Sequence, residues 1–282
     1  MNFSNSNAAT FIPSGESEQS ALAKITHLGI GAHQDDLEFM AFHGIEACYR
    51  QTAKWFGGVT CTNGAGSART GLYKDYSDEE MCEVRCREQD HAAVVGDYAA
   101  MIQLDYPSVA IKDPSNGAPV EDLLAILKAT TPDLVYTHNP ADKHSTHVAV
   151  AANVLKALRA LPSEQRPKQV LGCEVWRGLD WMLDSDKTTL DVSRRPNLAS
   201  AIGGIFDSQI AGGKRYDLAV DGRRIANATF YDSHSVDDAE KLWFAMDLTP
   251  LVEDPNLDPL EFTMSFIQRF EEDVRGALGK YF

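Results

Sequence analysis

The reading turns on THLGIGAHQDDLE, residues 26–38. Leu28, Ile30 and Ala32, with glycines between them, form a short apolar run that ends in a polar turn, the pattern of a buried strand. The turn itself sets one imidazole, His33, beside two carboxylates, Asp35 and Asp36. A helical segment follows over 37–51. In an open parallel sheet, ligands gather beyond the carboxyl ends of the strands. Polar residues placed directly after strands are therefore the ones to collect.

Working outward, strands are expected over 54–62, 98–104, 133–138 and 170–176. Helices are expected over 77–95, with Ser77 or Asp78 as N-cap, and over 120–129, 146–160 and 260–278. Strands alternating with helices of this length imply right-handed crossovers. The result is an α/β fold whose mostly parallel sheet carries helices on both faces. Residues 1–24 are polar and rich in Ser and Asn, and read as a flexible tail. Residues 25–282 are expected to form one α/β domain. Within it, 177–282 is the least legible part, and 180–225 is rich in Gly, Asp and Arg.

Composition narrows the function. With 41 acidic against 26 basic residues the formal net charge is −15, which repels nucleic acid and anionic membrane surfaces. No stretch approaches the roughly 20 apolar residues of a membrane span. The first twenty residues lack the basic start and apolar run of a secretory signal. The five cysteines are odd in number and form no Cys-x-x-Cys pair. Reduced thiols and a cytoplasmic location are expected. Cys82 and Cys86 are four apart, but no neighbour completes a thiolate metal site.

Two clusters of imidazole and carboxylate follow strands. The first is His33 to Glu38; the second runs from His138 through Asp142 and His144 to His147. A catalytic zinc takes three protein ligands and keeps one position open. Among the groups beyond such a ligand set are a carboxylate, Asp35, and an imidazole, His144. Amide hydrolysis uses such a surplus, as a base for the attacking water and an acid for the departing amine. His138 is an alternative ligand to His147.

AHQDDLE at 32–38 resembles the A-H-x-D-D-x-E signature of PIG-L/LmbE-type deacetylases. HSTH at 144–147 is similar to that family's H-P-D-H motif, and Arg85, Glu88, Ala92 and Gly96 fit its R-x-x-E-x-x-x-A-x-x-x-G helix. The resemblance covers roughly residues 26–155. It implies a Rossmann-like sheet and zinc, or another divalent ion, on His33, Asp36 and His147. It also implies Asp35 as general base and His144 as acid or oxyanion-stabilising imidazole. The implied reaction removes an acetyl group from an N-acetylated amino sugar or its conjugate. Relatives range from monomers to hexamers, which leaves a homo-oligomer open. Two positions depart from the pattern: Gln34 stands for the usual Pro, and Ser145-Thr146 for Pro-Asp.

Substrate contacts are expected from Arg69, Asp105 and Trp176, with Trp181 a further aromatic and His234, in YDSHS at 231–235, placed to close the site. Glu38 reads as a structural carboxylate, and Arg85 with Glu88 as an internal ion pair. Three other functions compete. A dinucleotide-binding protein would need glycine where Gln34 and Arg69 stand, and two aspartates would repel its pyrophosphate. A non-catalytic sugar-binding module would have no use for Asp35. A zinc amidase acting on a non-sugar or thiol-conjugate amide would share every site residue.

Overall fold

The computed structural model describes residues 1–231 and 234–282. Its centre is an eight-stranded sheet: β1 (Ala9–Phe11), β2 (His27–Gly31), β3 (Phe56–Thr62), β4 (Ala100–Tyr106), β5 (Leu134–His138), β6 (Gln169–Cys173), β7 (Thr188–Asp191) and β8 (Leu242–Asp247). The strand order is β1-β4-β3-β2-β5-β6-β8-β7. Strands β4, β3, β2, β5 and β6 are mutually parallel. Antiparallel pairs occupy the two edges: β1 with β4 at one, and β8 with β6 and β7 with β8 at the other. The chain reverses direction across the sheet between β2 and β5, which is where such sheets open a crevice for ligands.

Helices cover both faces, as the alternation implied. On one face Leu28 and Ile30 pack with residues of α1 (Glu18–Ala23), α5 (Ser108–Lys112), α6 (Ala118–Thr130), α7 (Ser145–Arg159), α11 (Thr249–Glu253) and α12 (Pro259–Leu278). The other face carries α2 (Asp36–Met40), α3 (Phe42–Cys48), α4 (Asp78–Val95), α8 (Pro196–Gly203) and α10 (Tyr216–Ala228), with the short α9 (Asp207–Gln209) nearby. Ser77 caps α4 in a full capping box with Glu80, satisfying the first free N–H groups reciprocally.

The glycines of β2 explain how α2 reaches the sheet. A Cβ on Gly29 would stand 2.8 Å from Phe56 Cζ and 3.0 Å from Leu37 Cδ2, and one on Gly31 would stand 3.0 Å from Asp36 Cβ. The Gly-x-Gly pair therefore makes room for α2 and brings Asp36 against the strand end. No phosphate is needed to account for it.

Several elements differ from expectation. The 37–51 helix is two helices that break at Ala41. Residues 1–24, expected as a flexible tail, carry β1 and α1. Thr10 pairs with Ile102, Asn5 Nδ2 donates to the carbonyls of Leu104 and Asp105, and Phe3 and Ile12 pack on the core. The apolar residues are few and separated by polar ones, so no period marks them, yet an unpaired β4 edge is available to them. The poorly legible region supplies β7, α8, α9 and α10. Among the described residues no helix is long and apolar enough to cross a membrane.

Helix glycines with opposite surroundings give opposite expectations. Gly44 in α3 faces Tyr136, whose ring is fully buried and whose hydroxyl meets His43 Nδ1 at 2.8 Å. A Cβ there would lie 2.5 Å from Tyr136 Cε2. Gly44→Ala is expected to cost about 1–3 kcal/mol through overpacking. Gly222, exposed in α10 with open space around it, is expected to gain roughly 0.5–1 kcal/mol as Ala. Urea unfolding midpoints of the two variants should move in opposite directions.

Candidate active site

The switch point between β2 and β5 brings the two motif clusters together. His33 follows β2, Asp36 opens α2, His138 ends β5, His144 is the N-cap of α7 and His147 lies in its first turn. His33 Nδ1 lies 3.2 Å from His147 Nε2 and 3.3 Å from Asp36 Oδ2, and His147 Nε2 lies 3.5 Å from Asp36 Oδ1. Tetrahedral ligands at roughly 2.0 Å from a zinc ion stand about 3.3 Å from one another. The triangle has the size of one face of such a polyhedron. Asp36 is 1% exposed, and its Oδ1 has no hydrogen-bond partner. An orphaned carboxylate oxygen facing two imidazole nitrogens fits a divalent cation. His144 also brings a ring nitrogen within reach of His33 and His147, and His138 joins Asp36 and His147 in a second grouping.

Hydrogen bonding separates these histidines. His138 Nε2 accepts the backbone N–H of Ala32 at 2.9 Å, so its lone pair is already used. Burial depresses this imidazole to about 4, keeping it neutral. It stacks on His147 with ring centroids 3.9 Å apart, fixing the plane of that ring. His147 Nδ1 has Asp142 Oδ2 3.6 Å away. Asp142 also accepts from His144 N at 2.9 Å and Trp176 N at 3.2 Å. A carboxylate therefore stands behind His147 although Ser145 and Thr146 occupy the positions between the histidines.

Asp35 sits beside the triangle in an uncommon conformation, with φ 105° and ψ −30°, a backbone state that costs a non-glycine residue about 1–3 kcal/mol. Its surroundings hold it there. Asp35 N donates to Gln89 Oε1 at 3.2 Å, and Gln89 Nε2 donates to Glu38 Oε1 at 2.8 Å, where Tyr98 also donates at 2.7 Å. Glu38 thus braces Asp35 through Gln89. Arg85 Nη2 stands 3.4 Å from Asp35 Oδ2 and also donates to Gln34 O, while its Nη1 donates to Ser67. Burial pushes the Asp35 carboxyl well above the ordinary range against the pull of Arg85, and the charge of Asp36 adds to it. Burial also acts upward on Asp36, but the neighbouring His147 outweighs it and holds that carboxylate ionised.

The cleft above these groups has a volume of about 590 Å³ and is lined by His33, Asp35, Asp36, Arg85, His144 and Trp176, together with Gln209 and Tyr216. Trp176 and Tyr216 face each other with ring centroids 4.3 Å apart, forming an aromatic wall. Gln209 and Tyr216 were not legible in the sequence, because they stand on either side of the segment Ile210–Lys214, which has no hydrophobic period and bends at Gly213 with φ 114°.

Other sequence candidates fall elsewhere. Arg69 does not line the cleft: its guanidinium donates to Ala65 O and to Tyr76 O and pairs with Asp78, so it is spent on closing its own loop against α4. Asp105 is also outside. It is the penultimate residue of β4, two strands from β2, with φ 55°. Arg85 and Glu88 are not an ion pair; Glu88 accepts from Ser208 N at 2.8 Å and Ser208 Oγ at 2.6 Å, joining α4 to α9. Trp181 and His234 are not among the lining residues, and His234 is exposed. Asp232 and Ser233, beside it in the YDSHS stretch, lie outside the described residues.

Residues 28–158 match the family described as PIG-L: GlcNAc-PI de-N-acetylase. No curated protein matches the sequence at a significant level. Among solved structures, the chain is similar to GalB, the 4-carboxy-2-hydroxymuconate hydratase of Pseudomonas putida KT2440, with TM-score 0.58, 14% identity, and 79% of this chain and 96% of that one covered. It is also similar to the N,N'-diacetylchitobiose deacetylase of Pyrococcus horikoshii, with TM-score 0.56, 16% identity and coverage of 82% and 88%. A third likeness is to the A40926 pseudoaglycone deacetylase Dbv21, with TM-score 0.55, 16% identity and coverage of 79% and 97%. At such identities these likenesses speak for the fold.

Competition with a chromophoric chelator measures the affinity of the His33–Asp36–His147 triangle for zinc. Asp36→Ala is expected to abolish tight binding. Asp142→Asn should weaken it about 10–100-fold, the usual effect of removing a carboxylate behind a ligating histidine. Full affinity in Asp36→Ala would move the ion elsewhere.

Proposed function

We propose that this chain, whose residues 28–158 match the PIG-L family of de-N-acetylases, is a zinc-dependent hydrolase that removes the acetyl group from an N-acetylated amino sugar or its conjugate. The observation that carries this reading is the triangle of His33, Asp36 and His147, with Asp35 buried beside it at the crevice of the sheet. His33, Asp36 and His147 would hold the ion. Bound there, a divalent cation acidifies a water and polarises the acyl carbonyl.

The chain's own residues do the rest. Asp35 serves as general base, and Arg85 faces its Oδ2 at 3.4 Å, leaving Oδ1 to take the proton of the attacking water. A carboxyl raised by burial can then return that proton to the departing nitrogen. His144 is exposed at the cleft, with its ring 5.1 Å from that of His33, and stabilises the charge that develops on the acyl oxygen. Trp176 and Tyr216 offer an apolar face on which a sugar ring can rest. The products are acetate and a free amine. Five cysteines, all unpaired, suit a reducing compartment and support a cytoplasmic location.

Acetate release from N-acetylglucosamine and its oligomers, with metal content measured in parallel, tests the reading. About one zinc per chain is expected. Asp35→Asn should keep the metal and lose about 10²–10⁴ in kcat, the range of general acid–base contributions. Its thermal midpoint should equal or exceed that of the parent, because one of two adjacent buried carboxylates is gone. Turnover preserved in Asp35→Asn would remove Asp35 from the mechanism. Bound zinc with no acetate release from any sugar would shift the substrate to another amide.

A further inference from the structure

The charge of the cleft runs against that of the chain. Over the whole sequence acidic residues outnumber basic ones by 41 to 26. The acidic side chains lining the cleft are Asp35 and Asp36 at its floor, whereas Lys112, Lys143 and Lys214 stand around it. The three lysines come from separate parts of the chain: the end of α5, the connection between β5 and α7, and the turn before α10. All three are exposed, and none forms an ion pair among the described residues. Elsewhere some lysines pair, as Lys24 with Glu16, Lys168 with Asp133 and Lys241 with Asp221, and others, such as Lys54 and Lys128, do not. Arg85, the remaining cation of the cleft, is committed to Asp35. Three uncommitted ammonium groups thus ring the entrance of a site whose floor carboxylates are neutralised by imidazoles and a cation.

The distinctive feature of these lysines is their shared place in one cleft. Three ammonium groups meeting at one concave surface, with no carboxylate on its rim, create a local positive field within a negative molecule. Low-dielectric walls focus such a field and draw in anions. Neutral amino sugars gain nothing from it.

We propose that the substrate carries an anionic group, a phosphate or a carboxylate, remote from the scissile amide and held by Lys112, Lys143 and Lys214. This rests on the deacetylase reading for the amide, but the anion site can be tested apart from it. The lysines act on binding, so discrimination appears in KM and falls with salt, as expected for exposed charges.

Two measurements on the metal-loaded full chain decide it. The first compares kcat/KM for N-acetylglucosamine, N-acetylglucosamine 6-phosphate and N-acetylmuramic acid at low and high potassium chloride. One anionic sugar is expected to exceed the neutral one by about 10-fold or more at low salt, through KM, with the advantage shrinking at high salt. Which anionic sugar wins distinguishes phosphate from carboxylate. The ratio should fall toward one in K112A/K143A/K214A. Equal kcat/KM for neutral and anionic sugars overturns the proposal. The second measurement, calorimetric titration with inorganic phosphate, needs no turnover. The triple variant is expected to bind about 10-fold or more weakly than the parent. Phosphate binding unchanged in the triple variant overturns the proposal whatever the substrate. Lysine-dependent phosphate binding without deacetylation of any sugar would keep the anion site and refute only the amino-sugar reading.

Discussion

A buried carboxylate stays ionised only when its charge is answered nearby, and Asp36 is where this constraint falls hardest. It is 1% exposed and has three imidazoles around it, from His33, His138 and His147. Each comes from a different place: the turn after β2, the end of β5 and the first turn of α7. These contacts tie the end of β2 to β5 and to the start of α7. They also explain the glycines of β2, since Asp36 reaches the strand end only if α2 lies directly on the sheet. Without such partners the desolvation cost would amount to several kcal/mol. A divalent cation in the same place would answer the charge more completely.

Around that centre, polar groups are ordered by how fully they are committed. His138 gives its lone pair to Ala32, Glu38 is held by Tyr98 and Gln89, and Arg85 closes on Asp35, Gln34 and Ser67. These residues fix geometry. His144 and the three rim lysines remain free to meet a substrate. The same architecture serves a hydratase as well as deacetylases among similar structures, so the fold alone does not specify a reaction. Chemistry is decided by which side chains are fixed and which are free.

Much of this was legible from local sequence. AHQDDLE and HSTH are readable because their members sit within a few residues of one another, next to segments whose periodicity is plain. Alternation of strands and helices sufficed for the layered α/β class. What failed were inferences that required the order of strands in the sheet. Asp105 lies near the carboxyl end of its strand, but β4 lies two positions from β2. Arg69 was suitably charged and near a strand end, but its own loop offered two carbonyls and Asp78 at closer range. Tyr216, Gln209 and Lys214 reach the cleft across a bend at Gly213, a long-range closure that leaves no mark on hydrophobic spacing. Strand β8, a continuous apolar stretch, is indistinguishable by period from a buried helical segment.

The pairing of β1 with β4 bears on how the molecule is assembled. Thr10 and Ile102 are neighbours in the sheet but far apart along the chain. During synthesis, β1 emerges well before its partner, and it cannot be paired until β2, β3 and β4 are in place beside one another. Such distant contacts close slowly, because the loop entropy is spent before the contact repays it. The edge of β4 stays open until then, and an open edge invites pairing with another chain. A three-residue strand offers little template of its own while it waits. The brevity that hid β1 from sequence patterning also protects the nascent chain from mispairing.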